Sequence, residues 1–468
     1  MDLHRKRILV VGLARTGIAT ARFLHGRGAI VRGTDQADES RLGSAGAELR
    51  AMGIELEWGG HSDASVSAAE MIVLSPGVPH TLPVLQAARN RGIPVIGETE
   101  LAARFIRQPI VAVTGTNGKT TTTELVGAML AASDRRVFVG GNIGRPLIGY
   151  VDAGMQAEIV VAEVSSFQLD TIETFRPSVG VLLNITADHL DRHESFAAYT
   201  AAKMRLFENQ HAQDHAVLNA GDPVIAAHAE CIRSRRLFFN TADPGQAGAG
   251  LNGDTLILRL PDREPVRLDL ARFRLRGTHN AENASAAALA ALAAGAHPEG
   301  IQAALNAFLP AAHRLETIAT INGVEYVNDS KATNVDAVRR ALECFGSPVV
   351  LIMGGVDKGG DFSLLQGVVR RRGRGLVLLG GSRDTLRSAL GGLLPTREVA
   401  SMREAVQAAQ AMAAAGDAVL LAPGCASFDR YANYQERGED FRRAVNELKT
   451  PPSHACPASA AKDADEDR

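Results

Sequence analysis

The chain has 468 residues, 46% of them apolar and 22% charged, and a net charge of −2. That length exceeds what one hydrophobic core ordinarily organises and suggests about three domains. Lys and Arg are scattered rather than clustered, which leaves no basic footprint for nucleic acid, so the expected partners are small molecules.

Residues 7–12 (RILVVG) read as a first strand, and Gly12 and Gly17 bracket a turn into a helix at 18–25. Ile30 to Asp35 reads as a second strand ending in an acidic residue, the position that meets a ribose hydroxyl in dinucleotide folds. The spacing Gly12-x4-Gly17 is not GxGxxG, so a nucleotide-type ligand and a plain turn both stay open. A third strand, Met71 to Leu74, runs into Ser75-Pro76-Gly77, at a carboxyl end where such sheets bind ligands. A structural Pro-Gly turn suits that stretch equally well.

After Gln108-Pro109 comes IVAVTGTNGKTTTT, residues 110–123. Ile110 to Thr114 reads as a buried parallel strand, and a helix-compatible run, 124–131, follows the glycine-rich turn. Strand, glycine loop and helix make a phosphate cradle. Gly115 and Gly118 let the backbone turn its N–H groups inward, Lys119 supplies a cation, and Thr120 offers a hydroxyl for Mg²⁺. Val113 stands where the Walker pattern has its first glycine, so the loop is a shorter GxxGKT.

Residues 140–144 (GGNIG) are a second glycine cluster, too small and flexible to be core. Residues 157–164 read as a buried strand carrying Glu163 near its tip, which is either an Mg²⁺ ligand beside the phosphate loop or a surface carboxylate. A strand at 179–183 leads to Asp188, His189, Asp191 and His193, a group that coordinates metal, orients a reacting carboxylate or is simply solvated. Lys203 falls on a helix at 196–209 and by itself reads as a surface lysine. Residues 277–294 begin with His279, Asn280 and Asn283, suited to hydrogen-bond a nucleotide or to cap the alanine-rich helix that follows.

A boundary falls near Leu309-Pro310. Beyond it Val349 to Met353, 376–379 and Ala418 to Leu421 are short apolar strands followed by Gly or Pro-Gly, at spacings that suit crossover helices and a parallel sheet. Residues 450–468 lack periodicity, contain three prolines and read as a disordered tail. Cys231, Cys344, Cys425 and Cys456 form no CxxC pair, which speaks against zinc or a disulfide framework and for a reducing cytoplasm. The basic N-terminus has too short an apolar run for a signal peptide, and the alanine-rich stretch 284–296 falls short of the roughly 18 apolar residues of a membrane span.

TGTNGKTTT, EVSSFQL, NITADHLDRH, GTHNAEN, HRLE, NDSKATN, GGVDKGGDF and APGCASFDRYANYQERGEDF together resemble the Mur ligase family over almost the whole chain, through about Leu448. The resemblance implies an α/β protein of three domains: a Rossmann-like UDP-substrate domain at 1–107, a central P-loop ATPase-type domain at 108–311, and a C-terminal Rossmann-like amino-acid-binding domain at 312–448, before a tail at 449–468. It implies a cytoplasmic, monomeric, ATP-dependent ligase of peptidoglycan precursor synthesis that binds neither nucleic acid nor membrane. SSFQL and CASFDRYANYQERG point, within the family, to UDP-N-acetylmuramoyl-L-alanine and D-glutamate as substrates.

By the same resemblance, Gly115, Thr116, Asn117, Gly118, Lys119, Thr120, Thr121, Asn280, Arg314 and Asp329 are expected around ATP. Thr16, Asp35, Ser75, Asn142 and Gln168 are expected around the UDP-sugar, and Thr333, Lys358, Ser427 and Tyr434 around D-glutamate. Lys119, Glu163, His189 and Lys203 are the expected catalytic group. Two Mg²⁺ ions are implied, one near Thr120 and Glu163 and one near His189 and Lys203, with Lys203 as its carbamate.

Overall fold

The computed structural model describes residues 1–41, 43–189, 192–241, 247–261 and 263–449. Asp191 and the tail at 450–468 lie outside the described residues. By its contacts the chain forms two compact units, Met1–Ala311 with Lys358–Gly360, and Ala312–Asp357 with the chain from Asp361 onward.

The first unit holds two sheets. One is fully parallel, in the order β3-β2-β1-β4-β5, from β1 (Arg7–Val11), β2 (Ile30–Asp35), β3 (Glu55–Trp58), β4 (Met71–Leu74) and β5 (Val95–Gly97). β1 and β4 are continuous apolar runs because both faces of the sheet are covered. Strand order reverses at β1, between β2 and β4, which opens a crevice beyond their carboxyl ends.

The second sheet has nine strands in the order β14-β13-β12-β11-β10-β9-β6-β8-β7. They are β6 (Ile110–Thr114), β7 (Val137–Gly141), β8 (Ile159–Glu163), β9 (Val179–Leu182), β10 (His215–Asn219), β11 (Arg235–Phe239), β12 (Gly248–Asn252), β13 (Thr255–Arg259) and β14 (Val266–Asp269). Pairing is parallel from β7 across to β12; β12, β13 and β14 are antiparallel. The helices Lys119–Ala131 and Thr278–Ala293 pack on this sheet through Leu125, Val126, Met129, Leu130 and the buried alanines from 284 onward. Small side chains let these helices approach the sheet closely, while each fully buried Leu or Val contributes roughly 1.5–3 kcal/mol.

The second unit is a six-stranded sheet, β15-β16-β20-β17-β18-β19, built from β15 (Glu316–Ile321), β16 (Val324–Asn328), β17 (Val349–Met353), β18 (Gly373–Leu378), β19 (Thr396–Glu398) and β20 (Ala418–Leu421). It is parallel apart from the β15/β16 hairpin at its edge, which short apolar runs alone do not announce.

Three local expectations change. The helix after the phosphate loop begins at Lys119, not at 124: the threonines join it, and Thr123 Oγ1 donates to Lys119 O at 2.8 Å. Gly140 and Gly141 are buried as the end of β7, because a Cβ at Gly141 would stand 2.5 Å from Glu163 O. The helix expected at 196–209 runs Phe196–Met204 and then tightens into a 3₁₀ turn, Arg205–Phe207. Among the described residues, no helix is long and apolar enough to cross a membrane.

Candidate active site

β6 lies inside the parallel part of its sheet, between β9 and β8, and the loop it delivers is held by the chain after β9. Thr116 N donates to Asn184 O at 2.9 Å, Asn117 N to Asn184 Oδ1 at 2.8 Å, and Asn184 Nδ2 back to Asn117 O at 3.1 Å. Thr116 Oγ1 lies 3.1 Å from Thr186 O and 3.1 Å from Tyr199 Oη. Gly118 caps the helix with φ +85°, a left-handed conformation that a side chain would strain. These contacts shape the loop in advance of any ligand, with the helix N-terminus facing the site.

The charged groups converge on this loop. Lys119 Nζ donates to Gly115 O at 2.9 Å and to Thr116 O at 2.8 Å. Lys203, 1% exposed, donates to the same Gly115 O at 2.8 Å and lies 4.5 Å from the centre of the Tyr199 ring. Burial, and next the Lys119 charge, push the Lys203 amine well below the usual lysine range, against the pull of Asp188, Asp170 and Glu163. Glu163, 2% exposed at the end of β8, accepts from Thr120 Oγ1 on Oε2 and from Asn142 Nδ2 on Oε1, each at 2.7 Å. His189 adopts φ +55°, with its ring 5.2 Å from Phe167 and its Nε2 3.8 Å from Asp188 Oδ2. His193 instead turns to Ser166, Nε2 to Oγ 3.0 Å, and stacks on Phe167.

Asn280 and Asn283 sit in the first turns of their helix, linked Nδ2 to Oδ1 at 3.2 Å, while Asn280 donates to Arg276 O at 2.7 Å. A Cβ on Gly118 would collide with the Asn283 amide, so this helix abuts the phosphate loop.

A separate cavity of about 370 Å³ opens beyond the carboxyl ends of the first sheet. Thr16, Asp35, Ser75, Asn142 and Gln168 all line it. Asp35 accepts from Leu13 N at 2.6 Å and Ala37 N at 2.8 Å; Ser75 Oγ donates to Gly12 O at 2.6 Å. Both therefore fix the turn between β1 and the helix Arg15–Gly26. Gly17 is required there, since a Cβ would fall on the Gly12 carbonyl oxygen. Gln168 closes a capping box with Ser165 on the short helix Ser166–Leu169. Asn142 belongs to both places, lining the cavity and holding Glu163.

Thr333, Ser427, Tyr434, Arg314 and Asp329 lie in the second unit, whereas Lys358 belongs by its contacts to the first. Thr333 stands in the loop before the helix Val335–Glu343, and Ser427 is buried in the loop after β20. Tyr434 starts the helix Tyr434–Glu447, its carbonyl accepting from Ser330 Oγ at 2.8 Å and its ring 4.1 Å from Lys331 Nζ. Burial raises the Asp329 carboxyl to about 7 despite the nearby Arg314 charge.

Matches to known families cover most of the chain: "Mur ligase MurD-like, N-terminal domain" at residues 6–97, "Mur ligase middle domain" at 113–291 and "Mur ligase, glutamate ligase domain" at 313–425. The UDP-N-acetylmuramoylalanine--D-glutamate ligase of Desulfosudis oleivorans is 52% identical over 449 residues, 96% of this chain and 98% of that one. The chain belongs to the Mur ligase family. A ligase of the same name from Desulfatibacillum aliphaticivorans is 49% identical over 448 residues, 96% of this chain and 100% of that one. The solved structure of MurF ligase from Thermotoga maritima in complex with ADP shares the fold, with a TM-score of 0.58 at 16% identity over 95% of this chain and 99% of that one.

In this Mur ligase several residues that shape the site are not among those singled out from the sequence. Asn184 sits in the quoted NITADHLDRH motif, where an asparagine directly after an apolar strand was the available clue. Tyr199 reads as helix core until Thr116 is found against its hydroxyl. Arg437, 3% exposed, ties Ser330, Gly354 and Cys425 together through carbonyl and hydroxyl acceptors, a role that its place in a polar helix conceals.

Proposed function

We propose that this chain joins D-glutamate to UDP-N-acetylmuramoyl-L-alanine with conversion of ATP to ADP and phosphate, in the cytoplasmic synthesis of peptidoglycan precursors. The observation that carries the reading is the convergence of Lys119, Lys203 and Glu163 on one preformed phosphate loop, in a chain 52% identical over nearly its whole length to a ligase named for that reaction.

The L-alanyl carboxylate attacks the γ-phosphorus of ATP, ADP leaves, and an acyl phosphate forms. The D-glutamate amine then attacks the acyl carbon, and phosphate departs from the tetrahedral intermediate. Both steps bring negative oxygens together, so fixed cations and donors are required. Lys119 and the N–H groups of residues 115–121 take the ATP phosphates, assisted by Asn280, Arg314 and Asp329. Thr16, Asp35, Ser75, Asn142 and Gln168 take the UDP-sugar in the cavity. Thr333, Lys358, Ser427 and Tyr434 take D-glutamate, with Lys358 as a point charge for its side-chain carboxylate.

Mg²⁺ fits the donors present: Thr120 Oγ1 and Glu163 Oε2 are hard oxygens 2.7 Å apart at the loop. Among the described residues no three His, Cys, Asp or Glu side chains are grouped as they would be to hold a metal ion by themselves. Mg²⁺ at this place supplies charge neutralisation of the phosphates. The resemblance to the Mur ligases implies a second ion near His189 and Lys203, with the lysine as its carbamate, which would present an anionic oxygen in place of a cation. The working protein is a monomer of three domains, 1–107, 108–311 and 312–448.

The test is ADP formation by purified protein with Mg²⁺, ATP and UDP-N-acetylmuramoyl-L-alanine, adding D-glutamate, L-alanine, glycine or meso-diaminopimelate in turn. Turnover that depends on D-glutamate with a UDP-muramoyl-dipeptide product supports the reading; dependence on another amino acid keeps the chemistry and overturns the substrate.

A further inference from the structure

The cavity of the first unit has two chemically different ends. Around residues 12–16 it meets the N-terminus of the helix Arg15–Gly26, whose unsatisfied N–H groups suit phosphate. Toward the β2 and β3 edge it is lined by Asp35, Gln36 and His61. A nucleotide whose phosphates lie at the helix places its sugar at the end of β2 and its base beyond, at His61.

The imidazole there has a fixed tautomer. Thr34 Oγ1 lies 2.5 Å from Gly60 O and 3.0 Å from His61 Nδ1. A carbonyl oxygen only accepts, so the single hydroxyl hydrogen goes to Gly60. Thr34 Oγ1 can then only accept from His61, which puts the ring proton on Nδ1 and the lone pair on Nε2. His61 is half-buried, and Nε2 has no hydrogen-bond partner among the described residues. Burial holds this imidazole below its usual range against the pull of the Asp35 and Glu57 carboxylates, so Nε2 keeps its lone pair at neutral pH.

We propose that His61 Nε2 is the acceptor for the N3–H of uracil, and that this contact selects uracil over cytosine, whose N3 carries a lone pair instead of a proton. The inference rests on the reading of the cavity as the UDP-sugar site. It assigns to a residue outside the motifs a role in choosing the nucleobase, and to Thr34 the role of setting the tautomer that makes the choice.

The experiment is competition by UDP, CDP and N3-methyl-UDP against the UDP-muramoyl substrate in the ADP-formation assay. In the wild-type protein UDP should bind about 10-fold more tightly than either analogue, the size expected for one hydrogen bond made or left unmade. His61→Ala should weaken UDP by about the same factor and leave CDP and N3-methyl-UDP nearly unchanged, closing the gap. Thr34→Val keeps the imidazole but releases its tautomer and should narrow the gap as well. Equal weakening of all three ligands in His61→Ala would make His61 a mere brace of the loop and overturn the proposal, as would a wild type that does not distinguish UDP from N3-methyl-UDP. Failure of UDP to compete at all overturns the cavity assignment itself. The KM for ATP and the melting temperature, unchanged in both variants, separate a local effect from misfolding.

Discussion

Lys119 and Lys203 donate to one and the same acceptor, the carbonyl oxygen of Gly115, at 2.9 and 2.8 Å. Two ammonium groups so close repel, and burial together with the Lys119 charge pushes the Lys203 amine well below the usual lysine range. The neutral amine is the form that captures CO₂. With ¹³C-bicarbonate, NMR of the wild-type protein should show a carbamate carbon that disappears in Lys203→Arg, where guanidinium restores the charge but cannot be carbamylated. Turnover in that variant should fall about 100-fold or more, the scale of losing a principal electrostatic group. A Lys203→Arg protein with wild-type turnover would rule out the carbamate.

Lys119 opens its helix with its amine turned back to the Gly115 and Thr116 carbonyls, outside the apolar core. Lys119→Ala should reduce turnover by about 10³-fold while the circular dichroism spectrum and melting temperature stay near the wild-type values. Retained activity would reject the phosphate-loop assignment.

Asp35 acts through backbone. Asp35→Ala removes the acceptor for both Leu13 N and Ala37 N and should loosen the turn that carries Thr16. The expected result is a KM for the UDP-substrate raised roughly 10-fold or more, with the KM for ATP unchanged. A parallel rise in both would place Asp35 in general folding rather than at the cavity.

Glu98 offers a pH-dependent test. Its carboxylate is 2% exposed, accepts from Ile148 N at 2.7 Å, and is raised by burial from 4.5 to about 7. A carboxyl with a raised folded-state pKa binds its proton more tightly in the native than in the unfolded chain, so stability falls as pH climbs from about 4.5 to about 7. Glu98→Gln keeps an oxygen for Ile148 and has no charge to bury. It should match the wild type near pH 4.5 and exceed it at pH 8 by roughly 3 kcal/mol, read from denaturant melts. Equal pH dependence in the two proteins would show that Glu98 is not the titrating group.

What the sequence disclosed, and what it withheld, follows from the range of the interactions involved. β6 and the phosphate loop are local: a β-branched strand, two glycines and a lysine announce themselves within ten residues. The alternation of strands and helices likewise implies parallel α/β sheets, which is the class found. Lys203 is the opposite case. A lysine on an alanine-rich helix looks solvated, and its burial follows from contacts with Gly115, 88 residues away, and Tyr199. Gly140 and Gly141 read as a flexible loop because their reason for being glycine, the Glu163 backbone alongside, belongs to another strand. The hairpins at β12 to β14 and β15 to β16 were hidden by weak alternation in short, partly exposed strands toward the sheet edges.

Asn142 lines the cavity while one N–H of its amide holds Glu163 Oε1 at the phosphate loop. The amide nitrogen carries a second hydrogen, so the same group can brace Glu163 and still offer a donor to the cavity. One side chain is thus a wall of the cavity and a support of the loop carboxylate, and removing its amide would be felt in both places.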